Sequence, residues 1–234
     1  MDADLAPYLF AGLLVFAVLL LIVVIASRRE KLRVQFLQAV ASKLGLQAYD
    51  RNRSVLPKGA TDFPLLKEGS NRRIINVMQG EVHGVHSTIF DVWHKIGRGK
   101  EKVEAMQTVI CMKSKDLSLP AFVLRPTEWV EEISTKKGFE EVNLARDFPE
   151  VAKAYTLKAK DVEAVRGLLS EDVVNRLSRL RGLAVEADGP LLIFYRPDQL
   201  RRPEDLGAFM SNGYKILGEF EDAFYWTEEQ VTNE

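Results

Sequence analysis

The sequence predicts an α+β fold: an antiparallel sheet meander with helices packed on it, preceded by one N-terminal transmembrane helix. Three observations carry this. Leu5 to Ala26 is an apolar run without a single charge; extended segments separated by short turns fill Arg73 to Leu124; and helical periodicities follow Pro126 without regular βαβ alternation. The implied organisation is an anchor at 1–28, an amphipathic juxtamembrane helix and connecting segment at 29–70, an α+β domain at 71–222 and an acidic C-terminal tail at 223–234.

At about 1.5 Å of rise per residue, the run from Leu5 to Ala26 reaches across a hydrocarbon core of about 30 Å. A cleaved signal peptide requires a basic leader, a shorter apolar core and small residues at the cut. Asp2 and Asp4 precede this run instead, and Ile25, Ala26, Ser27 and Arg28 make a poor cleavage site. Arg28, Arg29, Lys31 and Arg33 follow directly, and such clusters stay in the cytoplasm. The expected location is the inner membrane, with the N-terminus outside and the domain cytoplasmic. The same four residues are candidate contacts to anionic headgroups.

From Glu30 to Leu44, apolar residues at Val34, Leu37, Ala41 and Leu44 form one stripe, and Gly45 suits a helix C-cap. Gln47 to Ser70, with Pro57, Gly59, Pro64 and Gly69, reads as a connecting segment on the surface. A strand from Arg73 leads to a turn around Gly80 to Gly84. Val85 to Ile96 carries large groups on both faces and is expected to be central. Gly97 to Lys100 reads as a hairpin turn returning through Val103 to Met112, and Leu119 to Leu124 completes a meander of about four strands.

Thr127 to Lys137 has a helical pattern stopped by Gly138, and Tyr155 to Lys158 is a short extended piece. Helices are expected at Val162 to Leu169 and, capped by Ser170, through Val173, Val174, Leu177 and Leu180. Asp188 and Gly189 mark a hairpin between Leu183–Glu186 and Leu191–Tyr195. Pro203, Glu204 and Asp205 open a last helix bearing Leu206, Phe209, Met210, Ile216 and Leu217.

The net charge of -1 gives no reason to expect nucleic acid as a partner. The distribution is uneven. Arg28 to Ala60 holds eight basic and two acidic residues, whereas Leu200 to Glu234 holds three basic and eight acidic. The single cysteine, Cys111, excludes an internal disulfide.

Motifs for chemistry are sparse. His83, His86 and His94 share one stretch, but on a strand rising about 3.3 Å per residue His86 and His94 stand roughly 26 Å apart. A tight turn at Gly97 to Lys100 would set His86 opposite Cys111, as a base beside a nucleophile. That turn is not a Walker loop, since His94 and Glu101 occupy the positions of the required glycine and hydroxyl residue. Arg98 and Lys100 at its tip remain candidate contacts to a phosphate or an acidic partner. Glu131, Glu132, Glu140 and Glu141 are expected on helix surfaces or ends, and Arg125 and Arg166 as paired structural arginines. No catalytic residue, metal ligand or cofactor signature emerges.

Gly80, Phe90 with Asp91, Gly99 with Lys100, Gln107 with Thr108, Leu119 with Pro120 and Phe122, Leu124 to Pro126, Phe148, Tyr155, and Val165 with Arg166 resemble an uncharacterised bacterial family. The resemblance covers about Leu56 to Tyr195 and departs at Val92, where the family tends to have an aromatic residue. It implies a single N-terminal span followed by a soluble α+β domain, and no activity. The sequence thus reads as a membrane-tethered, non-enzymatic binding or scaffolding domain, held to the bilayer through residues 5–26 and serving an unknown protein partner or ligand. The alternative is a membrane-bound hydrolase or thiol-dependent enzyme whose site is assembled from distant residues.

Overall fold

The computed structural model describes residues 6–49, 55–96, 103–115, 117–129 and 138–232. Its first element is a single uninterrupted helix, α1 (Ala6–Lys43), so the apolar run and the amphipathic stripe are one rod. Gly45 stops it at φ 72°, where the Gly45 N–H reaches the Ser42 carbonyl at 3.3 Å and the Leu46 N–H reaches that of Ala41 at 2.8 Å. This paired closure satisfies carbonyls the helix leaves open, and it turns Leu46 into the same apolar cluster as Ala41.

The strands are β1 (Gln47–Tyr49), β2 (Ser70–Val82), β3 (Val85–Ile96), β4 (Val103–Lys113), β5 (Leu119–Pro126), β6 (Glu140–Val142), β7 (Tyr155–Ala159), β8 (Ala184–Gly189) and β9 (Leu191–Tyr195). They form one nine-stranded sheet in the order β1-β2-β3-β4-β9-β8-β5-β7-β6, with antiparallel pairings throughout. The α+β class stands, but the meander stops at β4. The β8–β9 hairpin inserts between β4 and β5, and that long-range pairing leaves no mark in local periodicity. β3 is central and buried on both faces.

The β2–β3 turn is shorter than expected. His83 and Gly84, both left-handed at φ 53° and 78°, link the paired Val82 and Val85, while Gly80 lies inside the strand. A side chain at Gly80 would meet the Gly45 carbonyl at 2.7 Å, so the end of α1 rests directly on β2. Glu140 and Glu141 sit on β6 and not on a helix. Thr127–Trp129 forms a 3₁₀ turn, and the rest of the expected helix to Lys137 lies outside the described residues.

Alternation divides the sheet's residues between two layers. Ile89, Ile110, Met112, Leu192 and Phe194 face a large cluster with Leu37 and Ala41 of α1. The helices α3 (Pro149–Ala152), α4 (Val162–Gly167), α5 (Glu171–Arg179) and α6 (Leu206–Thr232) contribute Val151, Val165, Leu177 and Phe209 to it. Ser170 caps α5 by accepting the Val173 N–H at 3.2 Å. The helix α6 runs through 223–232, across the expected start of the acidic tail.

The opposite face, with Phe90, Val109, Cys111, Ile193 and Tyr195, is covered by Ala60, Phe63, Leu65 and Leu66. These come from a 3₁₀ turn (Ala60–Asp62) and the short α2 (Pro64–Lys67), within the segment expected to lie on the surface. It is instead the sheet's second cover. Its apolar residues are too few and too irregularly spaced to register as an element.

Candidate functional site at the root of the long helix

The helix α1 joins the sheet through a buried polar cluster. Between Ile75 and Met78, β2 carries one more residue than the facing stretch of β3, and Asn76 absorbs it in a left-handed conformation at φ 55°. This bulge aims the Asn76 amide at Asp91, where its Nδ2 donates to Oδ2 at 2.9 Å. The Thr108 hydroxyl donates to Asp91 Oδ1 at 2.6 Å. Arg33 of α1 completes the cluster, giving one N–H to Asp91 Oδ2 at 2.9 Å and another to the Arg201 carbonyl at 2.8 Å. The Arg201 N–H in turn donates to the Thr108 hydroxyl at 2.8 Å. Asp91 is buried, so this ion pair is less screened by salt than a surface pair.

Two anchor points fix the helix direction. Gly45 rests on Gly80, and Arg33 reaches Asp91, whose strand partner is Ile75. The separations match, about 18 Å along the helix and about 16 Å along the strand, so α1 runs beside β2 in the same sense. Its N-terminal half then projects past the end of the sheet that carries Ser70, Ile96 and Val103. Along that half, the large apolar side chains from Leu9 to Ile25 are between 42% and 77% exposed. Consecutive positions such as Leu13, Leu14, Val15 and Phe16 cover every side of the rod, unlike a helix with one buried stripe. Side chains are described there only from Leu9 to Ile25, and among the described residues no helix is long and apolar enough to cross a membrane.

Of the basic residues after this run, Arg28 and Lys31 are exposed, and the Arg29 side chain is not described. Arg33 faces inward to the sheet. Arg98 and Lys100 lie outside the described residues. Near the projecting end, Trp93 carries the Arg73 guanidinium 3.8 Å from its ring centroid. Outside α1, the exposed large apolar side chains among the described residues are Val103, Met106 and Leu200. Sequence reasoning missed Asp91, Asn76 and Thr108 as a site, because only the bulge and the register bring them together.

A second polar cluster lies under the Ala60–Lys67 cover. Glu186 accepts from Arg125 Nε at 3.1 Å, from its Nη2, from the Tyr195 hydroxyl at 2.7 Å and from the Leu65 N–H at 3.2 Å. Arg125 also donates to both oxygens of Glu68, at 2.7 and 2.8 Å. Burial works against the Arg125 charge, but Tyr195, Glu186 and Glu68 outweigh it and hold its pKa well above the ordinary value. Burial pushes the Tyr195 phenol well up, so it stays protonated and donates. This cluster fastens the cover to the sheet.

The expected His86 and Cys111 pairing is overturned by the register: His86 faces Lys113, and Cys111 faces Thr88. A two-residue offset separates them, which the undetermined turn length concealed. Cys111 is fully buried, and burial pushes its thiol up to about 12. It therefore lacks both the access and the thiolate that nucleophilic chemistry needs. In the native protein it should resist a thiol reagent at pH 9 and react promptly in denaturant. Because the unfolded thiol ionises near 9.0 and the folded one does not until about 12, stability should fall as pH rises through that window. Prompt native labelling would place Cys111 in an accessible site. His94 is buried beside Gln107, with 3.3 Å between Nε2 atoms, and no cluster suited to a metal occurs among the described residues.

No family model and no curated protein matches the chain. Among solved structures, it is similar to the crystal structure of the mycobacterial trehalose monomycolate transport factor A, TtfA. The TM-score is 0.56 over 81% of this chain and 93% of that one, at 14% identity. At that identity the likeness shows a shared fold.

Proposed function

We propose that this chain is a membrane-tethered, non-enzymatic binding domain that works in the handling or transport of a lipid. The observation that carries the reading is α1: one rod whose first half exposes apolar side chains on every side and whose second half is locked into the domain core by Leu37, Ala41 and Arg33. In water such a surface is unfavourable by about 25 cal/mol per Å², and a bilayer is the environment that removes the cost around the whole circumference. The sequence extends the uncharged run to Leu5 and Ala26, beyond the side chains described. Lipid handling takes its support from the likeness in fold to a protein named as a trehalose monomycolate transport factor.

On this reading Arg28, Arg29 and Lys31 meet anionic headgroups, Arg33 stays with the sheet, and the domain is cytoplasmic with the start of α1 outside. Arg98 and Lys100, which in sequence fall between β3 and β4, are proposed to contact phosphates or an acidic partner.

Two measurements test it. The full-length protein should stay with membranes through alkaline carbonate washing. A reporter fused after Glu234 should be active if it works in the cytoplasm and silent if it works only after export. Release by carbonate would remove the anchor, and the opposite reporter pattern would move the domain to the other compartment.

A further inference from the structure

Between the start of α6 and the β8–β9 hairpin lies a cavity of about 130 Å³, lined in part by Leu183, Phe194, Arg196, Arg201, Phe209 and Asn212. That is about ten times what one water molecule requires. Its walls are divided in character. Leu183, Phe194 and Phe209 are buried and belong to the large apolar cluster, whereas Arg196 and Arg201 supply two guanidinium groups.

Neither arginine has an ion pair among the described residues, and the Arg201 side chain has one hydrogen bond there, a neutral one to Gln199 Oε1 at 3.2 Å. Arg201 Nε is buried without a partner. The carboxylate in the lining, Asp205, is held by Arg202 at 2.9 Å. Burial first, and then the charge of Arg196, push the Arg201 pKa below the ordinary arginine value, and the opposing pull of Asp205 offsets only part of this. Stacking of its guanidinium 4.8 Å over the Phe209 ring fixes the group without satisfying its charge. Two cations sharing one hollow repel each other, and an anion with several acceptor oxygens removes that repulsion while giving the free N–H groups a partner.

We propose that this cavity binds a phosphate-type oxyanion, with Arg196 and Arg201 as its two arms and the Leu183, Phe194 and Phe209 wall receiving apolar carbon attached to it. The location favours a lipid as the source. The Arg201 carbonyl is hydrogen-bonded to Arg33, which lies seven residues, or roughly 10 Å, beyond the end of the uncharged run. The cavity therefore sits just below the headgroup layer. The identity of the source rests on the membrane reading above; the oxyanion chemistry does not.

The test uses full-length protein in maltoside detergent, titrated by calorimetry with dihexanoyl phosphatidic acid, inorganic phosphate and dihexanoyl phosphatidylcholine. Phosphatidic acid should bind, and Arg196→Gln and Arg201→Gln should each weaken it at least tenfold with the melting temperature preserved. Arg196→Lys should retain more affinity than Arg196→Gln. Phosphatidylcholine, whose phosphate is offset by its own ammonium group, should bind at least tenfold more weakly. Inorganic phosphate binding as tightly as phosphatidic acid, with the same loss in the variants, would assign a free phosphate site and overturn the lipid source. Absence of binding by both phosphates, or equal binding in Arg196→Gln and Arg201→Gln, would overturn the cavity. Because these ligands are soluble, the outcome is independent of carbonate extraction, and either reading can fail alone.

Discussion

Arg125→Met is expected to lower stability by about 3–5 kcal/mol, the largest effect of any single substitution considered for this domain. The side chain it removes is 4% exposed, and Glu186, left behind, is fully buried. Glu186 would keep the Tyr195 hydroxyl and the Leu65 N–H but lose its counter-charge, and Glu68 would lose its ion pair with Arg125 at the margin of the cover. The cost comes from stranding a charge in a medium that solvates it poorly, more than from the lost attraction. Two companions separate these contributions. The double replacement Arg125→Met with Glu186→Leu should recover much of the loss, because no charge is then stranded. Tyr195→Phe should cost about 1 kcal/mol, as expected for one hydrogen bond. Urea unfolding of the detergent-solubilised protein reads all three. An Arg125→Met midpoint unchanged from that of the native chain would mean that the cluster does not fasten the Ala60–Lys67 cover.

Asp91→Ala should cost about 3 kcal/mol, at the lower end for a broken buried pair because Arg33 keeps 19% of its side chain in contact with solvent. It strips partners from Arg33, Asn76 and the Thr108 hydroxyl at once. A consequence beyond stability is expected. The Leu37 and Ala41 contacts hold one end of the docked segment, and the Arg33 pair holds the end nearest the projecting half. Removing the pair should let that half swing about the remaining apolar contact. Spin labels at exposed Ser27 and exposed Lys113 should give a narrow distance distribution in the native chain and a visibly broader one in Asp91→Ala. Equal widths would show that apolar packing alone sets the helix direction.

Composition and local period determined much of this protein. Uninterrupted apolarity marked α1, Gly45 its end, alternation β3, and Asp188 with Gly189 the β8–β9 hairpin, because each depends on neighbours close in sequence. Arg125 was legible as a paired arginine from its place between Leu124 and Pro126, though not its partners. What only the tertiary structure decided are the long-range pairings. The insertion of β8–β9 between β4 and β5 broke the expected four-strand meander and joined all the strands into one nine-stranded sheet. The pairing of β3 with β4 set His86 against Lys113 and dissolved the candidate catalytic pair. The bulge at Asn76 gathered Arg33, Asp91 and Thr108 from positions up to 75 residues apart. Register shifts of one residue exchange the faces of a strand, so no reading of residue types along the chain determines which side chains meet across the sheet.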